Sequence, residues 1–247
     1  MAQGGYKVGK ALKQGGGFKA YQDLVLGTRS LGYLLLYEAV MLLSQWVPGA
    51  LGLFLRKLLY PLLLGDCGKG CLFGRGVGLR HPRKIHLGQG VVVDDHALLD
   101  AKGQDNRGLF LSDGVFIGRN TIVYTKGGDI ELARGVNISH NCELFSSNLL
   151  SIGAGTFIAA YSYLLSGGEY DIDSPTPFAM QSGTDSRGPT RVGADVWIAA
   201  HVVVADGSTI GDSAVVGAGS VVRGQIPPAS LAAGAPAKVI RSLERRP

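Results

Sequence analysis

From Val192 to Pro227 the chain repeats every six residues: VGADVW, IAAHVV, VADGST, IGDSAV, VGAGSV, VRGQIP. The first place is always aliphatic, filled by Val192, Ile198, Val204, Ile210, Val216 and Val222. The second is small in five of the six blocks: Gly193, Ala199, Ala205, Gly211 and Gly217. Neither a 3.6-residue helix nor a period-2 strand keeps such a phase. A repeat this short predicts a quasi-one-dimensional coil, each unit packed only on its neighbours. The aliphatic residues fill its interior, and the small ones stand where the backbone turns sharply. Looser hexads reach back to Leu87, among them LSDGVF, IGRNTI, LARGVN, ISHNCE, IGAGTF and IAAYSY. The phase stops at Gly167-Gly168 and resumes at Val192, so residues 167–191 are predicted to be ejected as a long loop. Loops of that length are usually functional.

The N-terminal third follows another pattern. Residues 20–65 are apolar with sparse charge. Val47-Pro48-Gly49 divides them, because proline starts a helix more readily than it continues one. The longest uncharged run, Ala39 to Leu55, holds 17 residues and contains that break. A straight spanning helix wants about 20 apolar residues. Arg56 and Lys57 would be costly inside a bilayer. The segment therefore reads as two helices lying in or dipping into one leaflet. The plainer alternative is a helical pair packed on the coil as ordinary core. Residues 1–19 read as a flexible basic tail and 66–86 as a glycine-rich basic connector. Residues 87–227 read as the coil. Residues 228–247 read as a C-terminal tail, a crossing segment ending in a short helix.

Charge sharpens this division. The net charge is +5. Residues 1–86 hold 12 Lys and Arg against 3 Asp and Glu, or +9, and the remainder holds 12 against 16, or −4. An anionic membrane surface suits the first part. Nucleic acid does not, since the basic residues adjoin apolar helices rather than stacking aromatics. Cys67, Cys71 and Cys142 make neither a disulfide framework nor a metal set, and they fit a reducing location. No phosphate loop or dinucleotide fingerprint is present.

The six-residue phase resembles the hexapeptide-repeat acyltransferases, and the block from Gly193 to Arg241 resembles the C-terminal half of sugar and polysaccharide O-acetyltransferases. The resemblance covers residues 87–241. It implies a mainly β fold, a left-handed parallel β-helix of about six coils, here preceded by a two-helix apolar N-terminal segment. It also implies a homotrimer that uses acetyl-CoA and needs no metal. The family segment similar to residues 167–183 usually carries a histidine after its glycines. Here that place reads Glu169-Tyr170-Asp171.

Acyl transfer to a hydroxyl needs a base within hydrogen-bond reach. Ile138-Ser139-His140-Asn141-Cys142 resembles the I-x-H-[DN]-C element of the nucleotide-sugar acyltransferases of this fold, which implies His140 as base. His201 and His96, each one place later in its hexad, are the alternatives. Glu143, Asp171 or Asp173 could orient the imidazole. For the CoA, the candidates are Trp197, Ala199, Gly217, Ala218, Gly219, Arg223, Lys238 and Arg241. The expected activity is acyl transfer, acetyl above all, from acyl-CoA to a sugar hydroxyl on a lipid-linked or membrane-proximal glycan, at the cytoplasmic face of the membrane. The alternatives are a soluble small-molecule O-acetyltransferase and a hexapeptide-repeat scaffold that has lost its base.

Overall fold

The computed structural model of the chain describes residues 16–181 and 183–244. Three parallel sheets form the sides of a coil. The first face carries eight strands, from Asp66–Cys67 to Gln225–Ile226. The parallel strands of the second run from Leu72–Phe73 to Ser230–Gly234, and those of the third from Gly78–Arg80 to Val221–Val222. Strands pair one coil apart rather than with their sequence neighbours: Ile138 is in register with Ile158, and Ile158 with Ile198.

The solenoid has about eight turns, where the hexads predicted about six. The first of them lies in residues 66–86, predicted to be a connector. Cys71, Phe73, Val77 and Leu79 are buried there at interior positions. Gly74, Arg75, Gly76 and Gly78 between them hide the phase. At the other end, the residues predicted as a crossing segment and helical tail form strands instead. Ser230–Gly234 extends the second face, and Ala237–Ser242 returns antiparallel along it. Gly234, at φ +104°, supplies the turn between them.

All six aliphatic residues of the regular block are buried, as the phase requires. The residue two places earlier is buried too: Val196, Val202, Ser208, Ala214 and Ser220. The hydroxyls among them are satisfied by the backbone, Ser208 donating to the Val222 carbonyl at 3.3 Å and Ser220 to that of Gly217 at 2.6 Å. Gly193 illustrates the small second place. A Cβ there would stand 2.6 Å from the backbone nitrogen of Asp212 on the next coil.

Two longer helices close the N-terminal end of the coil, after a short helix α1 (Gly16–Tyr21). They are α2 (Leu31–Ser44), capped by the Ser30 side chain, and α3 (Gly49–Leu59), which starts after Pro48. On α2, Tyr33, Leu34, Tyr37, Val40, Met41 and Ser44 form a buried stripe with helical spacing. They join the solenoid interior in one hydrophobic core. Polar tips fix the docking: Tyr37 donates to the Leu79 carbonyl at 2.8 Å and Tyr60 to that of Val77 at 3.0 Å. Arg56 is buried with its guanidinium spread over the carbonyls of Phe73, Ser44 and Val47, at 2.8, 2.9 and 2.8 Å. A buried cation is tolerable when its donors are taken up in this way. Here they cap the end of α2 and tie it to the first coil.

The opposite side of the same helices remains apolar and exposed. It carries Leu31, Leu35, Leu42, Leu43 and Trp46 from α2 and its end, and Leu51, Phe54, Leu58 and Leu62 from α3 and beyond. The helical pair is thus packed on the coil, as the plainer alternative held, and yet presents a large apolar outer face. No single described helix is long and apolar enough to cross a membrane; residues 17–26 with α2 meet that length and composition only as a pair bent by 72°. Most of the predicted basic tail, residues 1–15, lies outside the described residues, as do residues 245–247 of the C-terminal tail. Gly16–Tyr21, at the end of that basic tail, is helical.

Candidate active site

The corner between the second and third faces gathers most of the chemistry. Each second-face strand ends on a buried aliphatic residue: Ile138, Ile158, Ile198 and Val216. Two residues further on, the register stacks His140, Ala160, Ala200 and Ala218 in one column. One residue later come Asn141, Tyr161, His201 and Gly219, all in the left-handed region at φ 56°, 62°, 60° and 70°. Asparagine and glycine accept that conformation readily, whereas tyrosine and histidine are held there at some strain.

The two columns bring three rings together. His140 meets Tyr161 edge-on, with centroids 5.7 Å apart and planes at 80°. Tyr161 in turn stacks on His201, at 5.0 Å and 4°. The two leading histidine candidates therefore share one site, with Tyr161 between them. Nδ1 of His140 faces Ser139 Oγ at 3.2 Å. Sequence reasoning missed Tyr161, although it takes the same hexad place as His201. His96, third in the same later column, lies at the N-terminal end against Trp46, with ring centroids 6.0 Å apart.

None of the three expected orienting carboxylates is hydrogen-bonded to His140, whose ring meets Ser139 instead. Glu143 begins the third-face strand Glu143–Ser146 and pairs in register with Ile122 and Tyr163. Its carboxylate turns to Tyr124, whose hydroxyl lies 3.5 Å from that of Tyr163. Burial, that hydroxyl pair and the Glu143 charge together raise the Tyr124 pKa. Glu143 therefore forms a polar patch with two tyrosines just beyond the corner. Asp171 stays in the ejected loop, where its carboxylate accepts the Asp173 backbone N–H at 3.0 Å. Asp173 lies in that same turn.

The loop is held at its base by Asp206, which the sequence did not single out. One carboxylate oxygen accepts the Gly167 N–H and, at 3.0 Å, the Ser186 hydroxyl; the other accepts the Arg187 N–H at 2.5 Å. Both ends of the loop are thus fixed to one buried side chain. Its outer part exposes Tyr170, Ile172, Phe178 and Met180.

The expected CoA contacts fall mainly along the same edge. Ala199, Gly217, Ala218 and Gly219 belong to the corner itself. Trp197 is half exposed on the strand leading into it, in register with exposed Phe157. Lys238 and Arg241 are exposed on the returning strand of the second face, opposite Ala233 and Leu231. Arg223 follows the third-face strand Val221–Val222 and stands apart from the others. A Cβ at Gly219 would meet nothing within 4 Å, so an open shelf lies beside the column. Among the described residues no group of three or more His, Cys, Asp or Glu side chains is placed to hold a metal ion.

Known proteins share this architecture. Over 119 residues the chain is 36% identical to a protein of Staphylococcus aureus (strain COL) that bears a provisional acetyltransferase name, covering 48% of this chain and 57% of that one. Over 126 residues it is 32% identical to the galactoside O-acetyltransferase of Escherichia coli (strain K12), covering 51% and 60%. The chain thus spans little more than half the length of these curated relatives. Among solved structures, AntD, an N-acyltransferase from Bacillus cereus crystallised as a mutant with dTDP and coenzyme A, matches with a TM-score of 0.55 at 18% identity, covering 82% of this chain and 92% of that one. At that identity the likeness is one of fold. Residues 189–224, the most regular part of the coil, match the family model described as bacterial transferase hexapeptide (six repeats), and this segment carries that family's repeat.

Proposed function

We propose that the protein is a CoA-dependent O-acyltransferase, acetyl-CoA being the donor, that docks on the cytoplasmic face of a membrane and acylates a sugar hydroxyl of a lipid-linked or membrane-proximal glycan. The observation that carries this reading is the column above His140. Ala160, Ala200 and Ala218 present only methyl groups along the column that runs from His140 toward the hairpin bearing Lys238 and Arg241. Three coil spacings make that column about 14 Å long. An extended thiol arm fits along it, with the nucleotide phosphates near the two cations.

Acetyl-CoA supplies an acyl group activated as a thioester. His140 removes the proton of the acceptor hydroxyl as its oxygen bonds the acyl carbon, and the CoA sulfur leaves as thiol or thiolate. Ser139 steadies the imidazole through Nδ1, in place of the carboxylate expected from sequence. Tyr161 packs the ring, and the Glu143–Tyr124–Tyr163 patch offers the acceptor hydrogen-bonding groups beyond the corner.

A bulky side chain in the column tests the donor half of this reading. Ala218 is exposed, so Ala218→Trp is expected to fold normally and to abolish CoA binding by calorimetry. Unchanged affinity would remove CoA from this edge. The apolar tip of the ejected loop, with Ile172 79% exposed, supports assembly into a trimer, in which a second copy would cover it. Light scattering in detergent is expected to return the trimer mass, and a monomer at micromolar concentration contradicts the assembly.

A further inference from the structure

A second concavity lies far from the corner, where α2 meets the first coils. It is a cleft of about 540 Å³. Its walls include Asp23 from the π-helical segment Gln22–Leu26, Thr28 and Arg29 from the turn before α2, His81, Arg83 and Lys84 from the first coil, and Gly103-Gln104 from the insertion in the second. Nothing in the proposed acyl transfer uses it.

Its charge is lopsided. Asp23 is its one carboxylate, and Arg29 neutralises it with a bidentate pair at 3.0 and 2.9 Å. That leaves the charges of Arg83 and Lys84 uncompensated. Lys84 anchors the wall, its Nζ donating among the carbonyls of Gly103, Gln104 and Asn106 and the Asn106 side chain, all within 3.0 Å. Arg83 has no carboxylate partner among the described residues. Arg83 is exposed, and its guanidinium lies over the Tyr33 ring, 4.2 Å from the centroid. Tyr33 belongs to the first turn of α2, so its ring ties this guanidinium to the helix that carries the apolar outer face. A planar cation held against an aromatic ring at the mouth of a cleft is suited to a phosphate.

The cleft's position narrows the source of that phosphate. Arg29 and Ser30 lead directly into Leu31, 64% exposed, at the start of the apolar outer face of α2. An apolar surface that ends at a cationic cleft matches the boundary between acyl chains and headgroups.

We infer that this cleft binds the phosphate of an anionic lipid headgroup, with Arg83 as the principal ligand and Arg29 and Thr28 at its rim. This rests on the membrane docking proposed above. It adds selectivity: the apolar face supplies adhesion to any bilayer, and the cleft supplies preference for anionic phospholipid.

The test is co-sedimentation of the full chain with vesicles of phosphatidylcholine alone and of phosphatidylcholine mixed with phosphatidylglycerol. The wild type is expected to bind both and to prefer the mixture. Arg83→Gln is expected to weaken binding to the mixture by about tenfold or more, as loss of a charge-assisted contact implies. It should leave binding to the neutral vesicles unchanged. Lys57→Gln, an exposed lysine on α3 outside the cleft, should cost far less on the same mixture. Arg83→Lys, which keeps the charge, should recover part of the loss, and helical circular dichroism of each variant guards against misfolding. Equal losses for Arg83→Gln and Lys57→Gln would reduce the effect to general surface potential and overturn the site. So would equal wild-type binding to both vesicles, which would leave the docking intact. Competition by free glycerol phosphate as effective as the vesicle lipid would overturn the lipid as its source. No binding to either vesicle would instead overturn the docking itself.

Discussion

Replacing His140 by asparagine is expected to lower acyl transfer by about 10²–10⁴, the usual loss for one general base. Asparagine is close in shape and keeps a hydrogen bond to Ser139 within reach, so the edge-on contact with Tyr161 should survive. CoA affinity should hardly change, because the base acts on the acceptor hydroxyl and not on the donor. His201→Ala is the necessary companion, since Tyr161 couples the two histidines through a 5.0 Å stack on one side and an edge contact on the other. A modest fall is expected there, as the Tyr161 ring loses its support. Should His201→Ala abolish turnover while His140→Asn retains it, the base is His201. A melting curve beside each rate separates chemistry from folding.

Charging the outer face of the helices should have an effect of similar size on membrane binding. Leu42, Leu51 and Phe54 are 85%, 64% and 61% exposed, so aspartate at all three positions leaves the buried stripe of α2 untouched. Burying one such side chain contributes about 1.5–3 kcal/mol. Losing three weakens partition into a bilayer by about 10³-fold or more, even if each is only partly inserted. Vesicle flotation reads this directly, and unchanged flotation would move the contact elsewhere. Cutting away the helices is the poorer experiment. Tyr37, Arg56 and Tyr60 bond to the first coil, and removing them strips the cover from Phe73, Val77 and Leu79.

The sequence reading went furthest where each hexad carries an aliphatic residue in one phase. From Val192 to Val222 the phase located every aliphatic interior position, though not the second buried place occupied by Val196, Val202, Ser208, Ala214 and Ser220. It failed over residues 66–86, because Cys71 and Val77 keep the interval while Gly74, Arg75 and Gly76 stand between them. It failed again at the C-terminus, where AKVIRS has no strand alternation and becomes a strand only by pairing with Ser230–Gly234. The corner was partly legible. His140 and His201 could be placed by hexad position, since position fixes the corner a residue occupies. That the two meet through Tyr161 depends on ring orientation, which the phase does not carry. The carboxylates were assigned to His140 by closeness in sequence. Glu143 points instead along the third face toward Tyr124, because residues after the corner alternate in and out of the coil. Asp206 escaped notice because its role lies across the chain, at the two ends of a loop 39 and 19 residues away. The helices look uniformly apolar in sequence for a physical reason: one side is core and the other is exposed.

The most direct test of the account is transfer of labelled acetyl from acetyl-CoA into the lipid fraction of membranes from cells that make the protein. The account predicts alkali-labile label in a glycan-bearing lipid, with stoichiometric release of CoA thiol. It also predicts near-complete loss of that label with His140→Asn, while that variant still binds CoA. Equal labelling by the wild type and His140→Asn would contradict it.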